Sequence, residues 1–346
     1  VPTTEKNENA RGVQVISGQA TREVFRAALT TALVFIVATR VPVPVVGIFM
    51  IPLPALYYRL KLGRQMALAA TAGAVILWRL VLGVAGADLF VFLEQLVLGL
   101  VLGECLDSGL SIEKAVGISA GAALAAGVGI LFYYAQDTGV GLKEFISTHI
   151  TADLNLYRDF FRDSYKDMGV PQESLETLSI ALDHARYILI RTLPGLWAAM
   201  ALVGAWACLL MARPWLRAGK LAMPALESLN RWKAPEPLVW GLIGCGILML
   251  IPSSDLRIVG VNGLYIVLTA YFFQGIAIVS HQFEKRRVPR ILRWFLYSLI
   301  LIVLWQPILF FVMFQPLLFF VIGLGIFDMW LDIRRLKQPT ETNGVS

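Results

Sequence analysis

The chain has 346 residues, 57% of them hydrophobic and 16% charged, with a formal net charge of +6 and a mean hydropathy of +0.68. Soluble globular chains hold about 45–50% apolar and about 25% charged residues, so a water-soluble core is excluded. Long apolar runs recur from Val24 to Asp332 without the alternation of a transmembrane barrel, which points to an all-α, polytopic transmembrane helical bundle whose backbone satisfies its own hydrogen bonds in lipid.

In chain order, residues 1–23 are polar and expected to form a disordered cytoplasmic tail. They lack the apolar middle of a cleavable signal peptide, so the first span is expected to act as the targeting signal. Spans are predicted at about Val24–Thr39, Val41–Tyr58, Gln65–Leu82, Leu89–Leu106 and Ala115–Gln136. The first two are separated by Arg40 and "VPVPVVG", and read either as two short spans or as one span plus a re-entrant piece. A polar outer insertion, 137–186, follows. In it Leu142, Phe145, Ile146, Ile150 and Leu154 fall at helical spacing, predicting an amphipathic helix broken near Thr151–Asn155. It would either rest on the membrane or close over an outward-facing cavity.

A sixth span, Tyr187–Ala212, completes a six-span unit over 24–212. After a basic loop at 213–234, four spans are predicted over 235–332, at about Leu238–Pro252, Val261–His281, Trp294–Phe311 and Phe314–Leu331, with a tail at 333–346. Gln306-Pro307 and Gln315-Pro316 break the last apolar stretch, which makes it a hairpin of two short helices. Arg59, Lys61 and Arg64, then Arg213, Arg217 and Lys220, then Lys285 to Arg293, then Arg334, Arg335 and Lys337 fall on one side if the number of spans is even. The positive-inside rule makes the molecule N-in and C-in, with about 8–10 spans. The same clustering explains the net charge by topology and excludes nucleic acid as a partner.

Catalytic signatures are missing: the three histidines have no metal-ligand spacing, and no P-loop or nucleophile elbow occurs. The chain is expected not to be an enzyme, to hold no metal and to need no cofactor. Cys105, Cys208 and Cys245 read as small buried hydrophobes. Polar groups inside spans are costly and therefore candidates for function. Arg79 and Glu94, on neighbouring helices, are expected either to pair structurally or to line a cavity. Arg191 lies near the outer end of span six and could face an anionic substrate or lipid headgroups. Asn262 and Gln274 frame span eight, as helix-joining amides or as ligand contacts. Small-residue pairs mark packing or partner faces: Ala28 with Ala32, Gly99 with Gly103, and Gly117 with Gly121.

Three stretches, "LNRWKAPEPLVWGL", "NGLYIVLTAYFFQGIAIVSHQFEKRRVPRILRWFLY" and "GIFDMWLDIRR", resemble the YybS-like family of bacterial polytopic membrane proteins, over about Val24 to Arg335. The resemblance implies the bacterial cytoplasmic (inner) membrane and supplies no activity. The six N-terminal spans are similar in layout to the substrate-binding subunits of energy-coupling-factor vitamin transporters, in which an AxxxA face of the first helix meets the coupling subunit; Ala28 and Ala32 match that motif in position. That likeness implies a small-solute-binding or transporter-like protein without its own ATPase, in contact with the lipid bilayer and with a coupling subunit or a second copy. The four added spans and the insertion before span six depart from it. The other expectation is a scaffold or assembly factor for membrane or envelope proteins.

Overall fold

The structure is a computed structural model describing residues 3–40, 46–82, 86–167, 172–221, 229–287, 289, 292, 315–331 and 334. It is all-α. Helix α1 runs over Thr3–Arg40, α2 over Val46–Met50, α3 over Pro52–Leu62, α4 over Arg64–Leu82, α5 over Gly86–Asp107 and α6 over Ile112–Asp137. Then come α7 over Leu142–Asp167, α8 over Gln172–Ala218, a single 3-10 turn at Leu229–Arg231, α9 over Leu238–Leu250, α10 over Ser254–Lys285 and α11 over Gln315–Leu331. Among the described residues, four segments are long and apolar enough to cross a membrane: Leu89–Asp107, Ile112–Asp137, Leu175–Ala218 and Ser254–Lys285. Leu238–Leu250 and Pro316–Leu331 are shorter apolar helices. The chain is a polytopic helical membrane protein.

Three elements differ from the sequence reading. Helix begins at Thr3 rather than near Val24, so the polar segment read as a disordered tail is written as the start of α1. The insertion helix α7 is continuous through Thr151–Asn155: at helical spacing its apolar stripe lets it pack along α8 without a break, and Arg158 bonds Asp183 of α8 at 2.9 Å. The second span is interrupted. Pro52 at the start of α3 has no N–H to continue the ladder from α2, so α2 and α3 meet at Ile51 as two short pieces. The chain at 41–45 and the expected span at Trp294–Phe311 lie outside the described residues.

The bundle is assembled around small residues. Ala28, Ala32 and Phe35 of α1 bury against Ala74 and Trp78 of α4 and Phe92 of α5, with Phe35 stacked on Phe92 at 4.2 Å between ring centroids. Gly99 and Gly103 of α5 seat α3: a Cβ at Gly99 would strike the Pro52 carbonyl oxygen, and one at Gly103 would lie 2.9 Å from Arg59 Cγ. A larger core joins Leu53 and Leu56 of α3, Leu98 and Leu102 of α5, Ala205 and Leu209 of α8, and Phe273 of α10. Outside it, large apolar side chains such as Leu80, Phe132 and Leu250 are exposed, as lipid contact requires.

Several ion pairs gather at one end of the bundle. Lys61 bonds Glu23 at 2.8 Å, and buried Arg59 bonds Glu104 at 2.7 Å and Asp107 at 3.1 Å. Lys61 holds the Glu23 carboxyl below its ordinary range. Trp232 donates its indole N–H to Glu113 at 2.7 Å. The start of span one, the end of span two, the α5–α6 turn and the loop before α9 therefore share one face, which the alternation of basic loops requires.

Candidate functional site

Glu94 stands about 12 Å along α5 from Gly86, at 1.5 Å per residue, inside an apolar span. It is buried, with 5% of its surface exposed, and among the described residues it has no ion pair. Its single hydrogen bond in the structure comes from the Trp197 indole N–H of α8, at 2.8 Å. The Trp197 ring is packed over Gly127 of α6, where a Cβ would strike it, and beside Phe90 at 5.8 Å. The next residue, Gln95, also points into the helix interior: its Oε1 is buried without a hydrogen-bond partner. It lies 3.9 Å from where a Cβ on Gly204 of α8 would stand, and Phe49 of the short α2 reaches the same point. Glu94 thus faces Trp197 of α8, and Gln95, its neighbour on α5, faces Gly204 two turns further along α8 together with Phe49 of α2.

Helix α8 is continuous but carries Pro194 within its length, three residues before Trp197. Pro194 has no N–H for the Ile190 carbonyl, and the next N–H is bonded from a neighbouring helix. The Gly195 N–H donates to Asn262 Oδ1 of α10, while Asn262 Nδ2 donates to the Arg191 carbonyl at 2.9 Å and to its own helix at Ile258, 2.8 Å. The side-chain amide of Asn262 thus bridges the Gly195 N–H and the Arg191 carbonyl. Gly195 is obligatory here, because a Cβ would sit 2.6 Å from the Asn262 backbone. Asn262 is a latch between α8 and α10, its amide already committed to backbone.

Gln274 anchors a second polar cluster at the end of the bundle that carries Trp232. It accepts from the Ala234 N–H at 3.1 Å and donates to Asp328 Oδ2 of α11 at 3.1 Å. Arg334 bonds the same oxygen at 2.8 Å and donates to the Trp232 carbonyl at 2.8 Å. The Asp328–Arg334 pair is buried on both sides, and Asp328 Oδ1 has no hydrogen-bond partner. Trp232 itself packs edge-on against Trp206, 4.7 Å away. This clamp fixes the "RWKAP" loop to α10 and α11.

The remaining candidates divide. Arg79 is exposed and forms no ion pair among the described residues, so the Arg79–Glu94 pair is absent: α4 turns Arg79 outward while Trp197 occupies Glu94. Arg191 is exposed and folds over its own Tyr187 ring at 3.6 Å. The two arginines and Glu94 do not line one cavity among the described residues. Ala28, Ala32, Gly99 and Gly103 are consumed by internal packing, whereas Gly117 and Gly121 of α6 face open space. Sequence reasoning singled out Glu94, Asn262 and Gln274 and missed their partners Trp197, Gly195 and Arg334. A proline followed by glycine inside an apolar helix was the available signal for the α8 latch. Asp328 and Arg334 read in the sequence as part of a charge cluster at a helix end, and the fold buries the pair.

Compared with protein families, residues 28–329 match the family described as "Predicted membrane protein (DUF2232)". Neither the curated proteins nor the solved structures include a match to this chain. A match over most of the chain, on a bundle of membrane-length helices, shows the family: this protein belongs to the DUF2232 predicted membrane proteins.

Proposed function

We propose that the protein binds and translocates a small solute through the interior of its bundle, with Glu94 as the group that engages it. The proposal places it in the bacterial cytoplasmic membrane with its basic loops inside, without an ATPase of its own and without enzymatic chemistry. One observation carries the reading: a carboxyl buried in an apolar span, without a cationic partner among the described residues, held by the Trp197 indole three residues after Pro194 of α8. An uncompensated ionisable group costs several kcal/mol in hydrocarbon and is retained where it serves a substrate or proton path. The unpartnered Oε1 of Gln95 supplies a second acceptor.

The charge of the site selects its ligand class. With Arg79 and Arg191 exposed and the carboxyl inside, the interior favours a cationic or hydrogen-bond-donating solute, the proton included, over the anion that the arginines alone would suggest. A thermal-shift screen of the detergent-solubilised protein against amines, cationic metabolites, vitamins and metal ions tests this. At least one cationic class raises Tm in the wild type and loses that effect in Glu94→Gln, which keeps an oxygen for the Trp197 N–H. A screen without a hit, or a hit indifferent to Glu94→Gln, overturns it.

A second reading, scaffolding of other membrane proteins, rests on the open Gly117–Gly121 face of α6. Small residues of this kind let a further helix approach closely. Crosslinking in cells through that face, yielding a reproducible protein partner, is its test.

A further inference from the structure

Between the start of α9 and the end of α11 lies a surface recess of about 500 Å³, lined by Glu236, Pro237, Val239, Trp240, Met329 and Trp330. It sits at the ion-paired end of the bundle, beside the clamp of Gln274, Asp328 and Arg334. Both indoles are largely exposed, Trp240 by 73% and Trp330 by 65%, and Glu236, which lines the same recess, is exposed as well.

We propose that this recess seats the ammonium group of a zwitterionic phospholipid headgroup at the membrane interface. Two aromatic faces and one carboxylate are the groups that hold an ammonium ion, through cation–π attraction and a charge-assisted hydrogen bond. The thioether of Met329 adds a polarisable wall. Tryptophan at an interface usually meets headgroups at large; here the carboxylate among the lining residues gives a preference for the amine. The neighbouring Asp328 does not compete, because it is buried and neutralised by Arg334.

The walls are preorganised. Gln274 holds the Ala234 backbone and Arg334 holds the Trp232 carbonyl, which fixes the segment leading to Glu236. Asp328 fixes the turn of α11 that carries Met329 and Trp330. Gln274 is a positioning residue for this recess. The inference is independent of the transport reading, since Glu94 lies in a different part of the bundle.

The test is native mass spectrometry of the full chain released from nanodiscs made of phosphatidylethanolamine and phosphatidylglycerol in equal parts. The wild type retains the ethanolamine lipid preferentially. Glu236→Gln and the Trp240→Ala, Trp330→Ala double variant each lower that retention by roughly 3- to 30-fold, with Tm unchanged because all three side chains are exposed. Competition by free phosphoethanolamine at millimolar concentration would support the ammonium seat and assign it to a soluble amine. Equal retention of the two lipids, or retention unaltered in Glu236→Gln, overturns the proposal.

Discussion

Asn262 shows how a residue legible in sequence acquires a role only through a distant partner. An amide inside an apolar helix is conspicuous, but the Gly195 N–H that it bonds is 67 residues away. Asn262→Leu removes the side-chain acceptor of the buried Gly195 N–H, an expected cost of about 1–3 kcal/mol. Gly195→Ala is expected to lower stability by about 1–3 kcal/mol by overpacking. Thermal denaturation in detergent reads both, and an unchanged Tm in either would remove the latch. The buried Asp328–Arg334 pair gives a sharper contrast. Removing one member, as in Arg334→Met, strands a charge at about 3–5 kcal/mol, whereas the double change Asp328→Leu, Arg334→Met is expected to recover most of that loss. Double variants no more stable than the single would show that the pair is not the source of the effect. Glu94 was conspicuous by the same rule as Asn262, but its expected partner was a neighbouring arginine. The actual donor, Trp197, lies 103 residues away, beyond any spacing argument.

Helices of this chain declare themselves by apolar length, and their positions from α3 to α10 were readable for that reason. Contacts between them were not. Two motifs with the same spelling have opposite fates: Gly99 and Gly103 seat α3, while Gly117 and Gly121 face open space. Sequence holds no information that separates them, since each is a pair of glycines at a spacing of four on an apolar helix. Gly99→Leu is expected to destabilise the bundle by about 1–3 kcal/mol, and Gly117→Leu to leave Tm of the isolated protein unchanged. If Gly117→Leu proved as damaging as Gly99→Leu, the face would be covered in the working protein, which favours the scaffold reading. The amphipathic pattern of α7 was correct in period and wrong in continuity. Thr151 to Asn155 holds weak helix formers, but Thr151 bonds the Ser147 carbonyl and the helix continues along α8.

At the scale of the molecule, composition and charge placement were enough to state a polytopic helical membrane protein, and the ion pairs joining Glu23, Lys61, Arg59 and Glu104 at one end agree with the alternation of basic loops. The six-helix likeness to a transporter subunit reads differently once helices are packed. Ala28 and Ala32 bury against α4 within the chain, so that face is not free to meet a coupling subunit in the way the motif implied. What survives is the interior: one buried carboxyl and one amide oxygen unpartnered among the described residues, at successive positions of α5. The claim that this interior is a translocation site is tested most directly by reconstitution into liposomes containing a pH-sensitive dye, with cationic solutes added outside. The account predicts that one solute class drives proton movement in the wild type and none in Glu94→Gln, with both proteins equally folded by Tm. Solute-driven flux of the same size in Glu94→Gln, or none in the wild type with any solute, would contradict it.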